Sequence, residues 1–458
     1  MKIRFCGATG FVTGSCYLLD TGKTKVLVDC GMYQGSKEIT RKNYQEFLFN
    51  PGEVDALFLT HAHIDHSGLI PKLVKAGFKG EIYGTEATLD LAEVMLADSA
   101  HIQELDTEHE NKRRERKGEK PRKPLYEQKD VEEAIKLFKK IKYNTEVNFN
   151  EFRFFFRDAG HILGSAHIEL FVNEGSGEKK IIFSGDIGQW DVPIINDPTL
   201  FEHADYVFIE STYGDRLHRE KQPRDEILHD IIKETYEKGG KLLIPSFAIE
   251  RTQEIIYAIN KMIENGDFPP LKIYLDSPLA IKATEIFKKH KELYDEEARN
   301  DFPNPFNLKQ LEYTSKTEES IALNNREESC IIIAGSGMCT AGRIRHHLKH
   351  GLWNPKNTVV FVGYQAEGTL GRIILEGAKK VKMMGTEVAV KADIKRIHSF
   401  SAHADYLELI KWAEGFKTRP EKFFIVHGEQ KSSESLADKL NEKGFNTHIP
   451  KLGEEIEI

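Results

Sequence analysis

The chain has 458 residues, of which 40% are hydrophobic and 30% charged, and this length predicts about two or three domains of an ordinary globular enzyme. No apolar run approaches the ~20 residues of a membrane span, so we expect no membrane association. The formal net charge of −8 does not favour a protein whose whole surface binds nucleic acid, because such proteins are usually basic.

The first residues, 1–5, form a strand-like segment without the apolar region of a signal peptide, so we expect a cytoplasmic protein. A glycine-rich stretch, residues 7–14, follows this segment. A dinucleotide-binding loop requires a helix directly after its glycines. Here the apolar run 15–19 and the turn 20–23 lead instead into another strand. We therefore predict a hairpin, with a nucleotide-binding loop as the less favoured alternative.

The cysteines indicate the redox environment. They are odd in number and lack the Cys-x-x-Cys spacing of many metal and redox sites. Reduced, mostly buried thiols in a cytoplasmic protein are the simplest interpretation. The five residues are Cys6, Cys16, Cys30, Cys330 and Cys339.

The most informative segment is the run His61-Ala62-His63-Ile64-Asp65-His66, which directly follows the apolar residues 54–59. The apolar run predicts a buried strand, so the histidines lie at its carboxyl end, where open α/β sheets bind their ligands. Imidazole and carboxylate suit zinc, manganese or iron. Histidines also crowd together in tags and storage tracts, but here other residue types interrupt them. The segment predicts a metal centre with more than one ion.

A long helical segment follows the histidine run within the first 205 residues. The segment 86–146 is predicted to be helical, with a charged break at 112–124. The basic run 112–117 within that break is most simply a solvated face.

Polar residues recur along the chain at the positions where predicted strands stop. This pattern is typical of a site built on loops at one edge of packed sheets. These strand-end residues are Asp29, His161, Asp186, Glu210, His403 and His427.

A second pattern begins at residue 206, where near-continuous apolar runs alternate with helical segments. Such a pattern predicts a parallel sheet covered by helices on both faces. The predicted strands are 206–210, 241–245, 271–275 and 330–334, and the predicted helices are 223–238, 250–265 and 280–291. A later strand, 423–426, ends at His427, which indicates that the chain returns to the first domain. We therefore predict three segments, 1–205, 206–392 and 393–458.

The strand-end residues and the histidine run form a coherent set for two metal ions. The simplest assignment gives one ion three histidines and the other ion two histidines with Asp65, while Asp186 bridges the pair with its two oxygens. Two ions about 3.5–4 Å apart activate a hydroxide and stabilise a displacement at phosphorus. Asp29 is predicted to hold a ligand or the nucleophilic water, with a simple turn before Gly31 as the alternative. The assigned metal ligands are His61, His63 and His161 for one ion, and Asp65, His66 and His427 for the other.

These motifs resemble the β-CASP branch of the metallo-β-lactamase superfamily. The superfamily motifs match Asp29, the run from His61 to His66, His161 and Asp186, and the branch adds an acid and two histidines. Those branch residues are Glu210, His403 and His427. The resemblance covers essentially the whole chain. It implies an α/β fold, namely an αββα sandwich (1–205 and 393–458) interrupted by an inserted β-CASP α/β domain with a parallel sheet flanked by helices (206–392).

The resemblance also implies a function. RNA-processing members of the branch carry a histidine at the last motif, as His427 does here, whereas DNA-repair members carry an apolar residue. We therefore expect a ribonuclease with two Zn²⁺ per chain, Mn²⁺ being the alternative ion. We expect it to act on single-stranded RNA as an endonuclease, with 5′-exonuclease activity as an additional expectation and a homodimer as one oligomeric alternative. The open alternatives are a DNA nuclease, a small-ester hydrolase of the same superfamily, and an inactive RNA-binding scaffold.

The remaining candidates concern proton transfer and phosphate binding. Asp29, Asp65, Glu210 and His403 form the expected catalytic set, in which a protonated His403 donates a proton to the departing ribose oxygen. In the inserted domain, backbone N–H groups after the predicted strand 330–334 suggest a phosphate site at a helix start. The basic run 343–349 could place cations along one helix face. The phosphate-binding candidates are Ser246, Arg251, Ser336, Gly337 and Arg343, for which a plain turn is the alternative.

Overall fold

The chain folds into two compact units. The computed structural model describes residues 1–173, 177–218, 222–300, 302, 304–366 and 368–458. The first unit comprises Met1–Leu217 and His403–Ile458, and the second comprises His218–Ala402. The predicted boundary at 206 falls before a strand that hydrogen-bonds into a sheet of the first unit, so the second unit begins after that strand.

The first unit begins with short strands, and its helices lie between them. The strands are β1 (Lys2–Phe5), β2 (Tyr17–Asp20), β3 (Lys25–Val28), β4 (Ala56–Phe58), β5 (Glu81–Thr85), β6 (Phe138–Ile141), β7 (Val147–Phe149), β8 (Phe152–Asp158), β9 (Ala166–Asn173), β10 (Glu178–Phe183) and β11 (Tyr206–Glu210). The helices are α1 (Lys37–Thr40), α2 (Ile64–Ser67), α3 (Ile70–Lys75), α4 (Glu86–Glu115) and α5 (Gln128–Ile135), with 3₁₀ helices at Arg41–Tyr44 and Pro51–Glu53.

Strands and helices alternate in the second unit. The strands are β12 (Leu242–Pro245), β13 (Lys272–Leu275), β14 (Leu311–Tyr313), β15 (Cys330–Ala334), β16 (Thr358–Phe361), β17 (Lys380–Met383), β18 (Thr386–Ala389) and β19 (Asp393–Arg396). The helices are α6 (Arg224–Glu237), α7 (Arg251–Glu264), α8 (Pro278–Lys289), α9 (Glu296–Asn300), α10 (Thr317–Asn325), α11 (Ile344–Gly351) and α12 (Leu370–Leu375), with a 3₁₀ helix at Lys291–Leu293. The return segment adds α13 (Tyr406–Glu414), β20 (Lys422–Val426), α14 (Gln430–Glu442), β21 (Thr447–His448) and β22 (Glu455–Glu457) to the first unit.

Two seven-stranded sheets form the first unit. Their strand orders are β22-β1-β2-β3-β4-β5-β6 and β21-β20-β11-β10-β9-β8-β7. An aromatic core joins their facing surfaces, with Phe5, Phe58 and Phe154 among its buried side chains. The outer face of the second sheet packs against α13 and α14 through a separate cluster that includes Trp412. Helix α4 contacts β5 and β6 of the first sheet. The predicted αββα sandwich is confirmed.

The second unit is built on a six-stranded sheet in the order β14-β13-β15-β12-β16-β19. All of the strand pairs described in this sheet are parallel. Its central strand β15 is fully buried, which explains why it reads as a continuous apolar run. The predicted parallel sheet flanked by helices is confirmed, and β17 and β18 form a separate antiparallel hairpin.

One predicted element of the first unit is wrong. The segment predicted to be helical up to residue 146 contains α4 and α5, but it ends in strand β6. β6 lies at the edge of its sheet, and its central residues, Lys139 and Lys140, are exposed. An edge strand with lysines in its middle lacks the apolar alternation by which a strand is recognised. The predicted hairpin after the N-terminal glycines is confirmed as β2 and β3.

The structure also shows the state of the cysteines and the character of the helices. All five cysteines are free, and all except the half-buried Cys6 are buried. Among the described residues, no helix is both long and apolar enough to cross a membrane.

Candidate metal centre

Strand β4 of the first sheet sets the position of the histidine run. Strand β4 lies between β3 and β5, and its buried side chains anchor the chain immediately before the run. His61 and His63 lie on the loop after β4, whereas Asp65 and His66 lie on α2. The short helix turns the second pair back beside the first. Four ligand-type side chains therefore project from six consecutive residues.

The first of two clusters joins three histidines and Asp186. His63 Nδ1 lies 3.2 Å from His61 Nε2 and 3.2 Å from His161 Nε2. Asp186 Oδ2 lies 3.5 Å from the same two Nε2 atoms. Ligand atoms around a tetrahedral ion with bonds of about 2.0–2.1 Å are separated by about 3.3 Å. The spacing of this cluster is therefore that of ligand atoms around one ion.

The second cluster shares Asp186 with the first. His66 Nε2 lies 3.1 Å from His427 Nε2, and His427 Nε2 lies 3.7 Å from Asp65 Oδ2. Asp186 Oδ1 lies 3.3 Å from His66 Nε2 and 3.3 Å from His427 Nδ1. One oxygen of Asp186 thus faces each cluster, as the sequence-based assignment proposes.

The donor set fits a pair of divalent ions. In both clusters imidazole nitrogens face one another, where a shared cation would replace repulsion between lone pairs by coordination. Asp186 Oδ1 is buried without a hydrogen-bond partner among the described residues. A buried polar atom without a partner is costly unless an ion or water completes it. The side chains that would hold the ions are those of the two clusters, His61, His63, Asp65, His66, His161, Asp186 and His427.

Burial and carboxylates set the protonation of these groups. Burial lowers the pKa of His61 well below its ordinary value and that of His63 to about 4, which leaves both rings in the neutral form that binds metal. Burial also acts to lower the pKa of His66, but the carboxylates of Asp186 and Asp29 override it and raise that pKa well above its usual range. For Asp186, burial acts to raise the pKa, but His427 and His66 hold it well below its ordinary value. The centre is therefore built around an ionised carboxylate.

Asp29 holds one of the histidine ligands in place. Its Oδ2 lies 2.7 Å from His66 Nδ1, and its Oδ1 accepts the Thr60 backbone N–H at 2.9 Å. The hydroxyls of Thr60 and Ser15 also donate to this carboxylate. The interactions fix the ring of His66 with its Nε2 directed at Asp186, which is how a carboxylate orients a metal-binding histidine. Thr60 and Ser15 were not predicted, although Thr60 directly precedes the histidine run.

We expect Asp29→Asn to weaken metal binding by about 10–100-fold, because an amide cannot replace the charge of the carboxylate beside His66 Nδ1. The measurement is a competition titration of the metal-free protein with a chromophoric chelator. Asp55→Asn is the control, since Asp55 directly precedes β4 and its carboxylate accepts the Lys25 backbone N–H at 2.8 Å outside the clusters. Equal affinity of the Asp29 variant and the wild type would contradict the assigned role.

Glu210 and His403 lie beside the two clusters. His403 Nδ1 is 3.1 Å from Glu210 Oε1 and 3.9 Å from Asp186 Oδ2. Glu210 also accepts the backbone N–H of Ile187 at 2.7 Å, which fixes its carboxylate. Burial acts to lower the pKa of His403, but Glu210 and Asp186 override it and raise the pKa to about 9. In the metal-free protein the two carboxylates therefore favour the imidazolium form of His403, whereas the nearby Asp405 caps α13.

Comparison with known families identifies this arrangement. The metallo-beta-lactamase superfamily model matches residues 9–228, the Beta-Casp domain model matches 252–374, and a model described as a Zn-dependent metallo-hydrolase RNA specificity domain matches 387–450. Ribonuclease TTHA0252 of Thermus thermophilus is 37% identical over 461 residues, which cover 100% of each chain. The chain belongs to the β-CASP family of the metallo-β-lactamase superfamily. The predicted resemblance is thereby confirmed.

Two further proteins similar to this β-CASP protein are archaeal. An RNase J-like protein of Methanocaldococcus jannaschii is 34% identical, with 95% of this chain and 94% of the relative covered. Transcription termination factor FttA of Methanosarcina mazei is 31% identical, with 97% of this chain and 69% of the relative covered. A crystal structure of a protein of unknown function from Enterococcus faecalis shares the fold, with a TM-score of 0.56, 12% identity and 99% of both chains covered.

The phosphate-binding candidates of this β-CASP protein lie in the second unit. Two of them, both arginines, form contacts with other side chains or with the backbone. Arg251 is buried, and its guanidinium forms an ion pair with Glu254. Arg343 donates to Asp276 at 2.7 Å and to the carbonyl of Thr314 at 2.8 Å. Both arginines therefore act in internal contacts rather than presenting a free guanidinium to phosphate. For Arg343 the local sequence could not reveal this, because Asp276 lies 67 residues away along the chain, whereas the partner of Arg251 is a near neighbour in α7.

The other three candidates lie on loops. Ser336 Oγ accepts the backbone N–H groups of Thr340 and Ala341 at 3.1 and 3.3 Å, so it closes its own loop. Gly337 packs so closely on the ring of Phe247 that a Cβ would lie 2.6 Å from it. The Ser246 hydroxyl accepts from Thr252 at 3.0 Å. The predicted helix start at these residues is wrong, since α11 begins only at Ile344.

Proposed function

We propose that this protein is a divalent-metal-dependent ribonuclease that hydrolyses phosphodiester bonds of single-stranded RNA. The observation that carries the proposal is the pair of ligand clusters joined by Asp186, with the Glu210–His403 pair beside them. A site for two cations and a proton donor is what displacement at a phosphodiester requires. The names of the relatives from Thermus and Methanocaldococcus, a ribonuclease and an RNase J-like protein, support RNA as the substrate.

The proposed ions are two Zn²⁺ per chain, with Mn²⁺ as the alternative. Histidine-rich sets with few carboxylates favour zinc among the divalent ions. When bound, such a pair supplies a nucleophile at neutral pH and neutralises charge on the phosphate. The first ion would be held by His61, His63 and His161, the second by Asp65, His66 and His427, and Asp186 would contact both.

The protein side chains around the ions have distinct proposed roles. His403, held as an imidazolium by Glu210 at 3.1 Å, donates its proton to the ribose oxygen that departs. Glu210 orients that ring and is itself fixed by the Ile187 N–H at 2.7 Å. Asp29 keeps His66 in the orientation that faces Asp186. His403 is also more exposed than Glu210, with 18% of its side chain accessible against 0%, as a residue that meets substrate must be.

A digest of end-labelled RNA tests the proposal. RNAs labelled at either end and bearing a 5′ hydroxyl, monophosphate or triphosphate are incubated with zinc-loaded protein, and DNA of the same sequence and a thioester serve as alternative substrates. We expect early internal fragments from RNA, which indicate an endonuclease, whereas immediate mononucleotides from the 5′-monophosphate RNA would indicate a 5′-exonuclease. Turnover of DNA or thioester alone, or of nothing, would refute the proposal in favour of the corresponding alternative.

A further inference from the structure

Helix α4 extends well beyond the body of the first unit. Its buried residues end at Ala100, and no residue from 101 to 124 is buried. At about 1.5 Å per residue, the helical part 101–115 extends for about 22 Å. The chain then folds back along the helix, where Asn111 donates to and accepts from the backbone of Arg122 at 2.9 and 2.8 Å. We call residues 101–124 the α4 arm.

The tip of the α4 arm is strongly basic in a chain of negative net charge. Residues 112–123 contain eight lysines and arginines and two glutamates, whereas the whole chain carries −8. Cations in the last helical turn, residues 112–114, interact favourably with the helix dipole, so part of the positive charge stabilises the helix. That effect fades within one turn, so it does not account for the cations from Arg116 to Lys123.

Three of the eight cations have acidic partners within the arm. Lys112 pairs with Glu108 at 2.6 Å, and Arg114 pairs with Glu119 at 3.0 Å. Arg122 lies 3.5 Å from Glu110. The other five are exposed and form no salt bridge with any residue that the structure describes. They are Arg113, Arg116, Lys117, Lys120 and Lys123.

The chemistry of the tip favours a polyanion over a protein as its partner. Protein interfaces are usually anchored by buried aromatic or aliphatic side chains. Residues 112–123 contain no apolar side chain except that of Pro121. Five cations without a described salt-bridge partner, at the end of the helix and on the segment that returns along it, match instead the repeated charge of a phosphodiester backbone, which is bound through such contacts without sequence readout.

The other end of α4 adjoins the metal centre. The hydroxyls of Thr85 and Thr88, at the start of the helix, donate to the carbonyl of Gly164 at 2.6 and 2.7 Å. Gly164 belongs to the loop that carries His161. Over its 30 residues the helix is about 45 Å long, so its tip is remote from that loop. A ligand that meets both ends must be an extended one.

We propose that the tip of the α4 arm is a second RNA-binding site, which holds the phosphate backbone at a distance from the bond that is cleaved. The inference rests on the proposed function for the identity of the polyanion. Such a site makes the affinity of the protein for RNA depend on the length of the RNA, because only a long RNA engages the arm as well as the metal centre.

The test compares two variants with equal changes in charge. The arm variant carries R113Q, R116Q, K117Q, K120Q and K123Q. The control variant carries K23Q, K79Q, K142Q, K391Q and K451Q, at exposed lysines scattered elsewhere. Binding to RNAs of about 5 and about 40 nucleotides, the first at the short end of typical single-strand site sizes and the second well above them, is measured by fluorescence anisotropy across a salt series. The parent protein and both variants carry H403Q for these measurements, so that cleavage is slow while the metal ions stay bound. Unchanged melting temperatures establish that both variants are folded.

We expect the arm variant to bind the long RNA roughly tenfold or more weakly, and the negative slope of log K against log salt to become shallower by about 3, at about 0.7 per phosphate contact. Binding of the short RNA should be unchanged, and the control variant should behave as the wild type does. Equal slopes for the arm and control variants, or equal losses on short and long RNA, would overturn the inference. Failure of the wild type to cleave any RNA would refute the proposed function alone, since these binding measurements require no cleavage.

Discussion

Replacing Asp186 by asparagine should lower kcat for RNA by at least about 10³-fold, which corresponds to about 4 kcal/mol. The reason is the position of Asp186 between the clusters, with Oδ2 3.5 Å from His61 Nε2 and Oδ1 3.3 Å from His66 Nε2. An amide has the same shape but only one oxygen, and its NH₂ group would face a cation. The measurements are kcat under saturating RNA and the metal content of desalted protein, which should fall below two ions per chain.

A matched control separates this effect from the loss of a carboxylate that accepts a backbone hydrogen bond. Asp205 precedes β11 in the same sheet as Asp186, and its carboxylate accepts the Lys180 backbone N–H at 2.7 Å. Asp205→Asn should retain wild-type activity and metal content. Circular dichroism should show both variants folded. If Asp186→Asn kept more than about a tenth of the wild-type kcat with full metal content, the bridging role would be wrong.

The residues proposed as ligands come together because they follow strands that run in the same direction. Strands β3 and β4 are parallel, and β10, β11 and β20 are parallel in the other sheet. Their carboxyl ends meet at one edge, so a polar residue after each strand reaches the same site. Asp29, His61, Asp186, Glu210 and His427 all stand at such ends. The order of strands and polar residues therefore predicts which side chains lie near one another, whereas distances such as the 3.1 Å between Glu210 and His403 require the fold.

The features that could not be predicted depend on pairing between distant residues. The apolar run at 206–210 has the composition of a strand in either domain, and only its pairing with β10 and β20 assigns it to the first unit. Arg343 looks available in sequence, yet it pairs with Asp276, which also contacts His347 at 2.6 Å. Hydrophobic periodicity carries no information on such partners, so surface and buried arginines look alike.

Replacing His403 by glutamine should lower kcat by about 10²–10⁴-fold, the range for loss of a general acid. Glutamine can still donate a hydrogen bond to Glu210 but cannot supply a proton to the departing oxygen. The metal content should remain that of the wild type, because His403 is outside the two ligand clusters joined by Asp186. His448→Gln is the control, since His448 forms a similar pair with Glu454, at 2.7 Å, in another part of the first unit.

A substrate with a sulfur leaving group tests the proton donation directly. RNA is prepared with a bridging phosphorothiolate at the oxygen that departs, whose side is determined from the product ends of the wild type. A thiol has a pKa of about 8.5, far below that of an alcohol, so it leaves without a proton donor. The His403 variant should therefore approach the wild-type rate on this RNA, while Asp186→Asn should not recover. A defect of the same size on both RNAs would mean that His403 positions the substrate or Glu210 instead, because a structural role does not depend on the basicity of the leaving atom.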